Sequence, residues 1–109
     1  MYYARIPLKK ALKMVVHIVI FKFKEENKAA NLEKVEKELN ALVQKIDELK
    51  SIEVGVDFNQ SERAFDLSLY STFDTKEDLQ AYAVHPAHLE VVQLIKSVTS
   101  ESKVVDYTL

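Results

Sequence analysis

Tyr82-Ala83-Val84-His85-Pro86-Ala87-His88 decides the fold, because it splits one apolar-periodic stretch into two helices. Proline fixes its own φ, lacks an N–H, and disfavours helical backbone at the residue before it. A helix running from about Thr75 to Val84 must stop near His85, and Pro86 then suits the first position of the next, with His85 at its N-cap. The same segment holds two of the chain's three histidines. Histidine is the side chain whose ordinary pKa lies nearest neutrality, so proton chemistry would sit in this Tyr/His cluster.

Upstream, Asp74 or Thr75 can cap the first of these helices, with Glu77 or Asp78 three residues on completing a capping box. Ala64 to Phe73 reads as a strand, with Phe65, Leu67, Leu69 and Phe73 on one face, after a polar turn at Asn59 to Arg63. Ile52 to Phe58 alternates strictly, which predicts a strand with Ile52, Val54, Val56 and Phe58 inward. Gly55, the single glycine, reads there as a bulge or a close backbone approach. Asn31 to Lys50 places Leu32, Val35, Leu39, Leu42, Val43, Ile46 and Leu49 on one helical stripe. Val15 to Lys24 is rich in β-branched and aromatic residues and is apolar on both faces through its middle, the pattern of a strand buried on both sides. Downstream, Ala87 to Val98 carries His88, Val91, Val92, Ile95 and Val98 along one side, and a last strand spans Lys103 to Leu109.

The order β-α-β-β-α-α-β predicts a ferredoxin-like α+β fold, a four-stranded antiparallel sheet with helices on one face. The other face would carry Val16, Ile18 and Ile20. A contiguous apolar patch marks an interaction site, and a second copy packing sheet to sheet, as a homodimer, covers it with one symmetric contact.

The 109 residues suit one domain, and 48% hydrophobic with 29% charged residues is a globular balance. Fifteen Lys and Arg against seventeen Asp and Glu leave a formal charge of −2 with no basic stripe, so no nucleic-acid partner is expected. The longest apolar run, Met14 to Phe21, is too short to span a bilayer and is broken by His17, so no membrane partner is expected either. The absence of cysteine removes thiolate chemistry and fits a cytoplasmic, reducing location. Residues 1–13 carry Lys9, Lys10 and Lys13 without the apolar segment of a signal peptide. They read as an N-terminal extension or a remnant of cloning, the domain itself spanning 14–109.

Three segments, His17-Ile-Val-Ile-Phe-Lys-Phe-Lys24, Tyr82 to His88 and Val105-Asp-Tyr-Thr108, resemble the dimeric α/β-barrel (Dabb) family, the stress-responsive A/B barrel domains. The resemblance covers Met14 to the C-terminus and implies two sheets forming a dimeric α/β barrel. Known members include a plant heat- and stress-associated protein and a plant cyclase that closes a linear polyketide by an aldol step without metal or organic cofactor. Carried across by position, that cyclase's catalytic histidine and tyrosine fall on His88 and Tyr82, and its pocket histidine falls on His17.

The chemistry this implies is cofactor-independent proton transfer beside a carbonyl. His88 would be the general base, Tyr82 would orient it or donate to an enolate oxygen, and His17 would line the same cavity. The expected pocket, between sheet and helices, comprises His17, Val19, Phe21, Tyr82, His88 and Val92 and would take a small apolar or carbonyl-containing ligand. Plainer readings stand beside it: His88 as a satisfied rim histidine, Tyr82 as a packing residue. No metal site is expected of His17, His85 and His88, since His-x-x-His without an accompanying carboxylate is a weak ligand pattern. Glu90 and Asp106 read as solvent-exposed. A non-enzymatic stress-associated structural protein acting through its oligomer, and a cofactor-independent monooxygenase of the same fold, stay open as alternatives.

Overall fold

The structure, a computed structural model, describes residues 13–109, so the reading of the N-terminal extension falls outside it except at Lys13. Seven elements follow in the predicted order: β1 (Val15–Phe23), α1 (Lys28–Lys45), β2 (Ser51–Val56), β3 (Leu67–Phe73), α2 (Lys76–Ala83), α3 (Pro86–Val98) and β4 (Thr99–Thr108). The strands form one antiparallel sheet in the order β2-β3-β1-β4, the ferredoxin-like arrangement. Among the described residues no helix is long and apolar enough to cross a membrane.

All three helices cover one face. Val15, Phe21 and Phe23 of β1 and Leu67, Leu69 and Phe73 of β3 meet Val35, Leu39 and Leu42 of α1, Tyr82 of α2, and Val91 and Ile95 of α3 in a single core. The helix α1 packs on β2 and α3, while α2 packs on β1 and β3. Thr75 caps α2 by accepting from Asp78 N–H at 3.0 Å. His85 caps α3, its Nδ1 accepting from Ala87 N–H at 3.0 Å with Pro86 as the first helical residue.

Three boundaries and the place of a bulge differ from what the sequence predicts, each for a physical reason. The helix α1 ends at Lys45, because Ile46 turns to extended backbone. Ile46 and Leu49 are buried all the same, so their helix-like spacing reflects loop packing against the core. The strand β2 stops at Val56, and Phe58, expected inward, is 94% exposed. Pairing with β3 ends at Val56↔Leu67, and beyond it the chain leaves the shelter of the helices. Pairing with β1 likewise makes β4 begin at Thr99 although its first residues lack a strand pattern, a case of tertiary contact overriding propensity. Gly55 pairs regularly with Ser68, and a Cβ there would meet only Ser68 Oγ at an ordinary 3.6 Å. The bulge lies instead at Lys22/Phe23, in the β1–β4 ladder.

That bulge is held by Asp66. Its carboxylate accepts from Phe23 N–H at 2.7 Å and pairs with Lys28 Nζ at 3.0 Å, while its own N–H donates to Phe21 O at 2.8 Å. The hydrogen bond to Asp66 is the main reason the Lys28 ammonium is held above the ordinary lysine value. Irregular strand pairing strands a backbone donor, and a partly buried carboxylate is well suited to satisfy it.

On the opposite face, Val16 is buried between its register neighbours Thr72 and Tyr107, so it is not part of an exposed patch. Ile18 and Ile20 are half-buried there, and Val105 is 53% exposed. Burial, with Tyr107 and Glu53 as neighbours, raises the Tyr70 hydroxyl above the ordinary tyrosine value on this face. Replacing Asp66 by Ala should cost about 1.5–3 kcal/mol in urea denaturation, the range for a hydrogen bond to a charged group. Asp66→Asn, which keeps an acceptor for Phe23 N–H, should lose less.

Candidate active site

A groove of about 460 Å³ opens on the helix-covered side, between α2 and the paired ends of β1 and β4. Val15 and His17 of β1 form its floor with Asp106 and Thr108 of β4. Leu79, Ala83 and Val84 supply an apolar wall from the α2 side, and Lys76, Gln80 and Tyr107 complete the lining. The alternation of β1 puts Val15 and His17 on the same face as the core residues Phe21 and Phe23, and α2 crosses that face at the Val15–His17 end.

Antiparallel register sets His17 opposite Asp106, and His17 Nδ1 contacts Asp106 Oδ1 directly. Asp106 is a functional candidate that sequence reading left in solvent. Its side chain is 47% exposed, yet it is engaged with the groove histidine. The Val105–Thr108 segment marks Asp106 only as part of the family resemblance, and its pairing with His17 is set by the β1–β4 register.

Tyr82 is the common neighbour of the other two site residues. Its ring centre lies 4.2 Å from that of His88, 5.0 Å from Phe73 and 6.2 Å edge-on from His17. The structure therefore brings His17, Tyr82 and His88 together. Of the other expected pocket residues, Phe21 is a core residue, Val19 packs against that core, and Val92 is half-buried on α3. None of these three borders the groove, and neither do Tyr82 and His88; of the six expected pocket residues His17 alone lines it, with Tyr82 reaching it through its contact with His17. The helices α1 and α3 fill the space over that half of the sheet, while the shorter α2 leaves the opening at the other end.

The electrostatics separate the three polar groups. Tyr82 is 1% exposed, and burial pushes its hydroxyl up to about 12, so the proton stays on it. That hydroxyl makes no hydrogen bond to the described residues. His88 Nδ1 lies 3.0 Å from Ala83 O. A carbonyl only accepts, so Nδ1 carries the proton and Nε2 of the neutral ring keeps its lone pair. Burial lowers the His88 pKa below the ordinary imidazole value; the bond to Ala83 O works against this, and the neighbouring His17 and His85 reinforce it. His85, by contrast, spends its Nδ1 lone pair on the α3 cap. Among the described residues no three His, Asp or Glu side chains gather as a metal ion would require. The groove thus offers a carboxylate-bound imidazole beside an apolar wall, and Tyr82 links that imidazole to the neutral ring of His88.

A family model described as Stress responsive A/B Barrel Domain (Dabb) matches residues 15–109. Olivetolic acid cyclase of Cannabis sativa is 31% identical over 96 residues, covering 86% of this chain and 95% of the relative. A dimeric protein of unknown function with a ferredoxin-like fold, from Bacteroides fragilis, superposes with a TM-score of 0.81 at 33% identity, covering 88% of this chain and 96% of that one. A hydroxynitrile lyase from Passiflora edulis superposes with a TM-score of 0.80, covering 90% and 94%. At 22% identity, that likeness is one of fold alone.

Tyr82→Phe removes a buried hydroxyl that has no partner among the described residues, so stability should hold or rise by up to about 1–2 kcal/mol in urea denaturation. A loss of similar size would show that the hydroxyl is bonded. The folded state disfavours protonated His88, so the unfolded chain binds that proton more readily. This contribution to stability is complete above the ordinary imidazole value of about 6.5 and declines as pH falls below it, ending beneath the lowered folded value. Calorimetric melting points should therefore drop more steeply below that pH in wild type than in His88→Gln.

Proposed function

The chain belongs to the stress-responsive A/B barrel (Dabb) family, and on that premise we propose that it binds a small, mostly apolar carbonyl compound in the α2 groove and moves a proton beside the carbonyl without a metal or organic cofactor. The observation that carries this reading is the His88–Tyr82 contact, a neutral base with a free Nε2 packed on a buried phenol with an unspent O–H.

In this reading His88 Nε2 takes a proton from the carbon next to the carbonyl. The negative charge that develops on the carbonyl oxygen is met by the Tyr82 hydroxyl, which donates a hydrogen bond and keeps its own proton because burial makes ionisation unfavourable. The apolar wall of Leu79, Ala83 and Val84 holds the rest of the ligand and strengthens both interactions by excluding water. The kinship with a protein named as a cyclase supports chemistry of this kind, since ring closure through an enolate starts with the same proton removal.

The functional unit is a homodimer, with the outward sheet faces packed together. Half-buried Ile18 and Ile20 and exposed Val105 supply the contact, and the relative from Bacteroides fragilis is itself dimeric. The reading places the protein in the cytoplasm, in keeping with a chain that has no cysteine.

A thermal-shift screen of medium-chain and aryl ketones and keto acids tests the groove. A ligand at a hundredfold its Kd should stabilise the wild type by about 2.7 kcal/mol, and a screen in which none raises the melting point would refute ligand binding. For a compound that is turned over, His88→Gln should cost about 10²–10⁴-fold and Tyr82→Phe about 10²–10³-fold in rate. Undiminished turnover in His88→Gln would exclude it as the base. Light scattering at micromolar concentration should give a dimer for wild type and a monomer for Val105→Glu.

A further inference from the structure

We propose that Asp106 is a positioning residue of the groove, which fixes His17 with its proton on Nδ1 and so presents the Nε2 lone pair as a second acceptor beside Tyr82. The functional meaning of this assignment rests on the reading of the groove as a ligand site, whereas the assignment itself stands on the geometry of the pair.

Four observations carry it. The two residues are register partners on adjacent strands, so their approach is set by the β1–β4 ladder and not by two mobile side chains finding each other. The contact is made by Nδ1, and an ionised carboxylate accepts without donating, so in the neutral ring the proton must sit on that nitrogen. The His17 backbone is itself anchored, its carbonyl accepting from the buried Ser71 Oγ at 3.1 Å. Both His17 and Asp106 border the groove, and the His17 and Tyr82 rings make a T-shaped contact with centres 6.2 Å apart.

The comparison with the other histidines sharpens the assignment. His88 also has Nδ1 engaged as a donor, to Ala83 O, and His85 has Nδ1 engaged as an acceptor. The two rings that neighbour Tyr82 thus share one tautomer, and the ring that serves only as a helix cap has the other. A histidine's tautomer is decided by the partner of its other nitrogen, and carboxylates commonly fill that role behind an imidazole that acts through Nε2. Among the described residues the side chain of Asp106 hydrogen-bonds only to His17, and it acts through that ring.

The test is long-range 1H–15N NMR of the ligand-free protein, at a pH about two units above the ordinary imidazole value. Its outcome is independent of whether any compound binds. Wild-type His17 should show a protonated Nδ1 and an unprotonated Nε2. Asp106→Ala should shift His17 toward the Nε2–H form, while Asp106→Asn, which retains a carbonyl acceptor, should restore the wild-type pattern. The amide spectrum of each variant reports folding, and the His88 signals, held by Ala83 O, should stay unchanged as an internal control. A proton on Nε2 of wild-type His17, in a neutral ring or an imidazolium, would overturn the proposal. So would a wild-type pattern retained in folded Asp106→Ala. If the tautomer behaves as expected and the ketone screen still yields no ligand, the groove reading fails while the positioning of His17 stands.

Discussion

The site depends on the helix break at Pro86. In one continuous helix, Tyr82 and His88 would be six residues apart, a rotation of about 240°, and would point to different sides. The break lets α2 end with Tyr82 in the core and α3 begin by returning His88 to it, with the two ring centres 4.2 Å apart. His85 makes the break stable, since its Nδ1 satisfies one of the amide donors that a helix start leaves unpaired. The freed carbonyl of Ala83 takes up His88 Nδ1–H. A single proline thus sets the position of one imidazole and, through the backbone it exposes, the protonation site of that ring.

The three histidines then form a graded set despite their proximity. Each has its Nδ1 committed to a different kind of partner: a helix amide, a peptide carbonyl, a carboxylate. The buried Tyr82 ring separates chemistry from stability in the same place. It contributes to the core through Phe73 and its neighbours, and its hydroxyl makes no hydrogen bond to the described residues. A group retained in the interior without a bond of its own is costly to the fold, and such costs concentrate where a ligand supplies the missing partner.

Much of this was legible in the chain because it is local. The Thr75 and His85 caps, the proline break and the two-faced pattern of β1 all follow from residues within a few positions of one another. The element order then fixed the sheet. What escaped is long-range. Asp106 reads as an ordinary exposed carboxylate until antiparallel pairing sets it against a residue 89 positions away. Phe58 continues a perfect alternation, and only the end of the β2–β3 ladder shows that the alternation has outrun the core. Phe21 and Val19 share a face with His17, but a face is not a cavity. Which part of it stays open is set by the length of α2 and the placement of α1 and α3.

The strand β4 carries both surfaces of the proposed function on alternate residues, with Asp106 toward the groove and Val105 toward the outward face. A period of two makes such a strand unforgiving, since a slip of one residue exchanges its faces completely. Its polar composition supplies little to resist slipping, and the restraints come from its ends. The Lys22/Phe23 bulge, clamped by Asp66, holds one end, and the Leu109 N–H bond to Met14 O at 2.8 Å holds the other. The side chain of Asp66, 40 positions away in sequence from the residue it aligns, therefore acts as the alignment mark that keeps the carboxylate on the groove side of the strand and the valine on the other.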